Sequence, residues 1–170
     1  MRSHSATRSG PDIARALLRL ALGGTMIAHG VRHGKSIDGT ARWFESIGFR
    51  EPRKQAQASA VVEVGSGAAL IVGAATPLAA ASVVGTMAVA FETVHRPNGF
   101  FVINEGWEHV ALVSAAGVAL GALGPGRLSV DRLLGVDDKA SGFSGAALVA
   151  GLGIGAAAAH LKMFWKRPAK

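Results

Sequence analysis

Residues 61–95, VVEVGSGAALIVGAATPLAAASVVGTMAVAFETVH, hold only two charged side chains, Glu63 and Glu92, with 28 uncharged residues between them. One crossing of a bilayer takes about 20 apolar residues, and backbone inside it must satisfy its own hydrogen bonds, so a run this long predicts two helices joined by a tight turn. Pro77 lies near the middle of the run. Proline has no N–H and disfavours helix in the residue before it, which places the expected tip at Thr76 and Pro77 rather than at a glycine. A chain reversing there returns Glu63 and Glu92 to one membrane face, at similar depth on neighbouring helices.

The remaining apolar runs extend this scheme. Residues 13–31 predict a first span, with Arg15 and Arg19 at its entry carrying their charge to the headgroups on long stems, and with Gly23, Gly24 and Ala28 as a small face for a neighbour. Residues 107–123 predict a fourth span that stops at Gly124, Pro125 and Gly126. Residues 140–161, uncharged between Lys139 and Lys162, predict a fifth whose Gly151, Gly153 and Gly155 suit close helix packing. Within the polar connection 32–56, residues 41–47 read as a short amphipathic piece with Trp43 and Phe44 at headgroup depth, and residues 126–139 as a second interfacial helix. The expectation is an all-α membrane protein, an antiparallel four-helix transmembrane bundle plus an extra C-terminal transmembrane helix, multi-pass in the cell membrane. Residues 1–12 form a polar tail, 13–135 the bundle, and 136–170 the extension with its basic tail. Arg15 and Arg19 interrupt the early run and no small-residue cleavage site follows, so the start does not read as a signal peptide.

Composition narrows the chemistry. With no cysteine, disulfides, zinc-thiolate sites and thiol catalysis by this chain are excluded, and redox chemistry needs a borrowed cofactor. The net charge of +7 comes from 18 Lys and Arg spread over loops and tails, a distribution suited to anionic lipid headgroups and not to nucleic acid. Eleven of these fall on the face of the polar residues described next and seven on the other, which places that face on the cytoplasmic side. GSG at 65–67 and GLGIG at 151–155 lie inside apolar helices with no preceding strand, so they read as packing glycines and not as phosphate cradles.

In an up-and-down bundle, one end gathers His29 and His33, Glu63, Glu92 and His95, then Glu105, Glu108 and His109. Acids and histidines below a membrane surface are costly, face the bundle interior, and mark proton, ion or ligand sites. Glu63 lies about two turns into its helix and is the hardest to explain as a wetted helix end. Glu92 and His95 are three apart and share a helix face. Glu105 reads as solvated. Glu108 and His109 point in different directions, and Glu108 is favoured because a helix start stabilises negative charge. The candidate ligand-binding or proton-handling residues are His29, Glu63, Glu92, His95, Asn98, Glu108 and His109.

Several segments then stand together: RLALGGTMIAHG in the first span, GTARWFESIGF in the connection, VVEVGSGAALIVGAATP in the second, VHRPNGFFVINEGWEH after the third and GPGRLSVDRLLG after the fourth. Over about residues 13–135 the chain resembles the DoxX family of membrane proteins. That resemblance implies a four-helix membrane bundle and an association with terminal quinol oxidase and thiosulfate:quinone oxidoreductase activities. It places the family's usual polar positions on His29, Lys35, Glu63, His95, Asn98, Glu108 and Asp131. His109 stands where the family carries an aromatic residue, and the fifth span lies beyond the family's usual end.

The reading that follows is a redox-associated subunit holding a quinone or similar lipophilic ligand at the His/Glu cluster, the quinone being implied by the resemblance alone. The alternative is a non-catalytic scaffold or accessory subunit whose glycine-rich fifth helix docks onto a larger membrane complex or a second copy. Catalysis by the chain is left open. A metal set of Glu63, Glu92, His95 and Glu108 is disfavoured because Glu-x-x-His occurs once where paired-iron bundles use two. No metal is assigned. A proton-coupled transporter is disfavoured too, since five spans without a repeat offer little for alternating access.

Overall fold

The first helix, α1 (Ser9–Lys35), carries Asp12 in its first turn and Arg32, His33 and Lys35 in its last, each sign opposite to the adjacent end of the helix dipole. The computed structural model describes residues 9–137 and 140–168. Residues 1–8 of the expected polar tail lie outside the described residues, as do Lys139, the expected flank of the fifth run, and residues 169–170. After α1 come α2 (Ile37–Ser46), α3 (Pro52–Val72), α4 (Thr76–Ala90), α5 (Glu108–Leu123), the single turn α6 (Val130–Leu133) and α7 (Gly142–Phe164). Among the described residues the only β pairing is an isolated bridge between Phe49 and Trp165. Two helical stretches, Thr76–Asn98 and Gly142–Phe164, are long and apolar enough to cross a membrane, and Glu108–Leu123 is a shorter apolar helix.

Glycines set how closely the long helices approach. A Cβ on Gly23 would lie 2.6 Å from the Gly67 carbonyl oxygen, and one on Gly67 2.6 Å from that of Gly23, so α1 and α3 cross backbone to backbone. Seven residues later Gly30 meets Ala60 and Glu63, so the two helices run antiparallel. Gly153 of α7 packs against Ala81 and Val84 of α4, and Gly121 of α5 against Gly145 of α7. Around these crossings Leu22, Met26, Leu70, Val83, Leu120 and Val149 form the buried core. The fifth run's Gly145 and Gly153 thus pack within the chain, whereas Gly151 and Gly155 face open space.

The chain does reverse within the long apolar run, but not at Thr76 and Pro77. The turn is Gly73 to Ala75, both left-handed (φ 69° and 46°), and Pro77 sits in the first turn of α4. A proline is tolerated there because that N–H has no helical partner anyway, and Gly73 ends α3 because it adopts positive φ without strain. This shift changes the expected depths. Glu63 lies nine residues before the end of α3 and Glu92 sixteen after the start of α4. At about 1.5 Å per residue they stand roughly 13 Å and 24 Å from the turn, not level with one another.

A buried charge locks the turn. Asp131, 4% exposed, accepts from the backbone amides of Ala75 (2.7 Å) and Thr76 (2.8 Å), while its own amide donates to the Gly73 carbonyl. Arg19, 6% exposed, donates to the carbonyls of Pro125 (2.7 Å) and Ile71 (3.2 Å) and is the cation facing Asp131. The sequence placed Arg19 among the headgroups; it is instead buried against carbonyls that the turn and Pro125 leave without helical partners. The expected interfacial helix at 126–139 is correspondingly reduced to α6, with its acid turned inward and Leu133 and Leu134 exposed. Arg15, for which the sequence predicts the same reach, lies one turn nearer the start of α1, bonded to Asp12 and the Leu123 carbonyl.

At the opposite end the chain after α7 clasps the connection before α3. Arg50 N–H donates to Phe164 O, Lys166 N–H to Gly48 O, and the Trp165 indole to Ile47 O (2.7 Å). The amphipathic piece at 41–47 belongs to α2, which buries Ala41 and Phe44 and leaves Trp43 exposed.

Two measurements check this account. Gly67→Ala lowers stability by about 1–3 kcal/mol through overpacking, whereas Gly65→Ala, which meets open space, is neutral or stabilising; thermal denaturation in detergent compares them. Asp131→Ala costs about 1–3 kcal/mol because it leaves the Ala75 and Thr76 amides without their acceptor, and Asp131→Asn, which keeps one acceptor oxygen, loses less, read from the same denaturation.

Candidate functional site

Glu63 is placed by α3 on the face that meets α1 at Gly30, and its side chain is 3% exposed. One turn earlier on the same face, Ser59 donates its hydroxyl to Glu63 Oε1. With that proton committed, the hydroxyl oxygen accepts from His33 Nδ1 at 2.8 Å, and the same nitrogen lies 3.2 Å from Glu63 Oε1. The second carboxylate oxygen, Oε2, is buried with no hydrogen-bond partner among the described residues. Leaving such an atom unpaired costs about 1–3 kcal/mol or more. The imidazole of His33 is in turn walled by Trp43 and Phe44, with ring centroids at 6.2 and 5.9 Å, so α2 orients the histidine that orients the acid. His29, one turn earlier on α1, lies on the more open side, near enough to Glu63, His33 and His109 for their charges to act on it. Beside this group, α1 and α3 leave a shallow, open, mostly apolar groove lined by Gly30, Val31, Gly34, Ala60, Val61 and Val64, with Lys35 at its edge.

The other candidate residues gather elsewhere. Glu92 lies in a π-helical turn, Phe91–His95, and binds Arg96 through both carboxylate oxygens (2.9 and 2.8 Å) and Arg167 of the C-terminal tail (2.8 Å). His95 Nδ1 donates to the Glu105 carbonyl at 2.6 Å, and Asn98 donates to Val94 O at 3.2 Å. Glu108, first residue of α5, accepts from the Val102 amide at 3.0 Å. His109 is exposed. The expected single pocket is therefore divided, an inner group of His33, Ser59 and Glu63 with His29 beside it, and an outer group around residues 92–108. Among the described residues no hydrogen bond or ion pair joins them. The cause is the turn at Gly73, which leaves Glu92 and its followers about 10 Å beyond the level of Glu63. Nor do three His, Asp or Glu side chains come together as a metal ion would require, among the described residues.

Sequence reasoning put His33 on the right face without choosing it, and passed over Ser59. The signal was present: Ser59 and Glu63, like His29 and His33, are four apart and share a helix face. For Arg19 no such signal existed, because its partners are backbone carbonyls more than 50 residues away.

Residues 14–96 match the DoxX family model, a span containing the inner group whole and ending in the outer one. Residues 97–135, where the resemblance in sequence continued, lie beyond that match. No curated protein and no solved structure matches the chain.

Ser59→Ala takes one of two donors from Glu63 Oε1, and the expected loss is about 1–3 kcal/mol of stability, smaller for Ser59→Thr, read from thermal denaturation in detergent.

Proposed function

The chain is a DoxX family membrane protein, its DoxX domain lying at residues 14–96, and from that premise we propose that it is a multi-pass protein of the cell membrane. In this reading α1, α3, α4, α5 and α7 cross, and the Glu63 group holds the polar head of a lipophilic ligand such as a quinone. One observation carries the proposal: a carboxylate fixed by Ser59 and His33 keeps a buried oxygen without a partner, on a helix whose Ala60 and Val64 line an apolar groove. A ligand or proton reaching Oε2 would satisfy it. His33, Ser59 and Glu63 form a continuous hydrogen-bonded path, and quinone reduction consumes protons, so such a path suits a redox-associated role. His29 and His109 stand at its open side.

A scaffold role is the second reading, and the bare Gly151 and Gly155 on α7 favour it, since small exposed residues let another helix approach closely.

Glu63→Gln separates the two. With lipid-depleted protein and a short-tailed quinone, the wild type is expected to show a thermal shift that Glu63→Gln lacks while retaining helical content and assembly. Absence of both bound quinone and any shift in the wild type would overturn the ligand reading. Assembly with a partner that survives Glu63→Gln but fails on Gly151→Leu would favour the scaffold.

A further inference from the structure

The connection between the π-helical turn and α5 is irregular backbone holding apolar side chains outward. Phe101 is 62% exposed, Val102 56% and Ile103 89%. The segment is nevertheless tightly built. The amides of Asn104 and Gly106 donate to Phe101 O, that of Glu105 to Val102 O, that of Trp107 to Gly99 O and that of Glu108 to Phe100 O. Glu108 takes the Val102 amide, and His95 and Asn98 both reach the Glu105 carbonyl. Phe100 stacks edge-on against Trp107 at 4.7 Å, and Gly106 has no room for a Cβ against Gly99 and Phe100.

Two features identify what faces this tip. First, non-helical backbone tolerates apolar surroundings only where its polar groups are satisfied internally; the amides of Val102 and of Asn104 through Glu108 are bonded within the loop, whereas those of Phe100, Phe101 and Ile103 are not, which keeps the tip's backbone at headgroup water while its side chains reach the acyl edge. Second, α5 is short. Its 16 residues span about 24 Å against a hydrocarbon thickness of about 30 Å. Gly117 of α5 lies beside Val84 of α4. From that level α5 rises nine residues to Glu108, about 13 Å, while the helical stretch of α4 rises fourteen residues to Asn98, about 21 Å. The loop occupies the step of roughly 8 Å above α5 and presents Phe101, Val102 and Ile103 where its missing turns would have presented lipid-facing side chains.

We propose that residues 100–103 are a prebuilt lipid-contacting tip that completes the apolar thickness of the molecule above α5, and that His95, Asn98 and Glu108 are positioning residues which hold it. This rests on the multi-pass reading and narrows its ligand site to the inner group. The occupant is the acyl-chain edge of the bilayer, not a protein partner.

Because the chain has no cysteine, a single label tests this directly. Ile103→Cys, carrying an environment-sensitive fluorophore, is reconstituted in phosphatidylcholine vesicles beside Lys54→Cys, an exposed position at the same end of the molecule. The expected result is blue-shifted emission at 103, quenched several-fold more by shallow nitroxide lipids than by aqueous iodide, with the reverse at 54. Iodide quenching at 103 equal to that at 54 overturns the proposal, as does shielding seen in native membranes but absent in pure lipid, which would identify a protein partner. Adding Glu108→Ala is expected to restore iodide access at 103 with helical content unchanged; shielding that persists removes the positioning role. Resistance of the protein to alkaline extraction from membranes tests the multi-pass reading separately.

Discussion

The reversal at Gly73 to Ala75 depends on one buried carboxylate. Asp131 occupies the two amides that open α4, and Arg19 faces it from α1 while binding the carbonyls of Ile71 and Pro125. Four separate segments therefore meet at two buried charges of opposite sign, each bonded to backbone groups of the others. Everything at the other end follows from the level at which this pair fixes the turn. Because α3 and α4 start from that level, Glu63 lies beside Gly30 and His33, and Glu92 lies beyond them, among arginines.

Polar residues at the far end divide by what surrounds them. Glu63 is enclosed by α1 and α3, so every hydrogen bond it lacks has a cost, and its unpaired oxygen distinguishes it from the acids around it. Glu92 has two guanidinium partners at a partly exposed site, and Glu108 is occupied by a backbone amide. Composition treats these acids as equivalent. Their roles are set by which helix face and which height each occupies.

Much of this was legible in the amino-acid order, for reasons that differ by element. The long helices each contain an apolar run, and α7 is recognisable despite its alanines and glycines because no charge interrupts residues 142–161. The hairpin was legible as a need of the 61–95 run, but its tip was misplaced by three residues, since Pro77 both ends and begins helices and only its neighbours decide which. That small error separated Glu63 from Glu92. Asp131 reads as surface because its three flanking leucines suggest an interfacial helix; its burial depends on amides more than 50 residues distant, which no local pattern encodes.

The clasp between residues 164–166 and residues 47–50 fixes where α7 finishes. Helix α1 begins beside Leu123 and Arg127, near the turn, whereas α7 finishes beside Gly48, close to where α1 stops. The first and last helical residues are thus separated by the length of α1, about 40 Å. Any segment joining Ser9 to Phe164 has to span that distance, which takes a dozen or so extended residues.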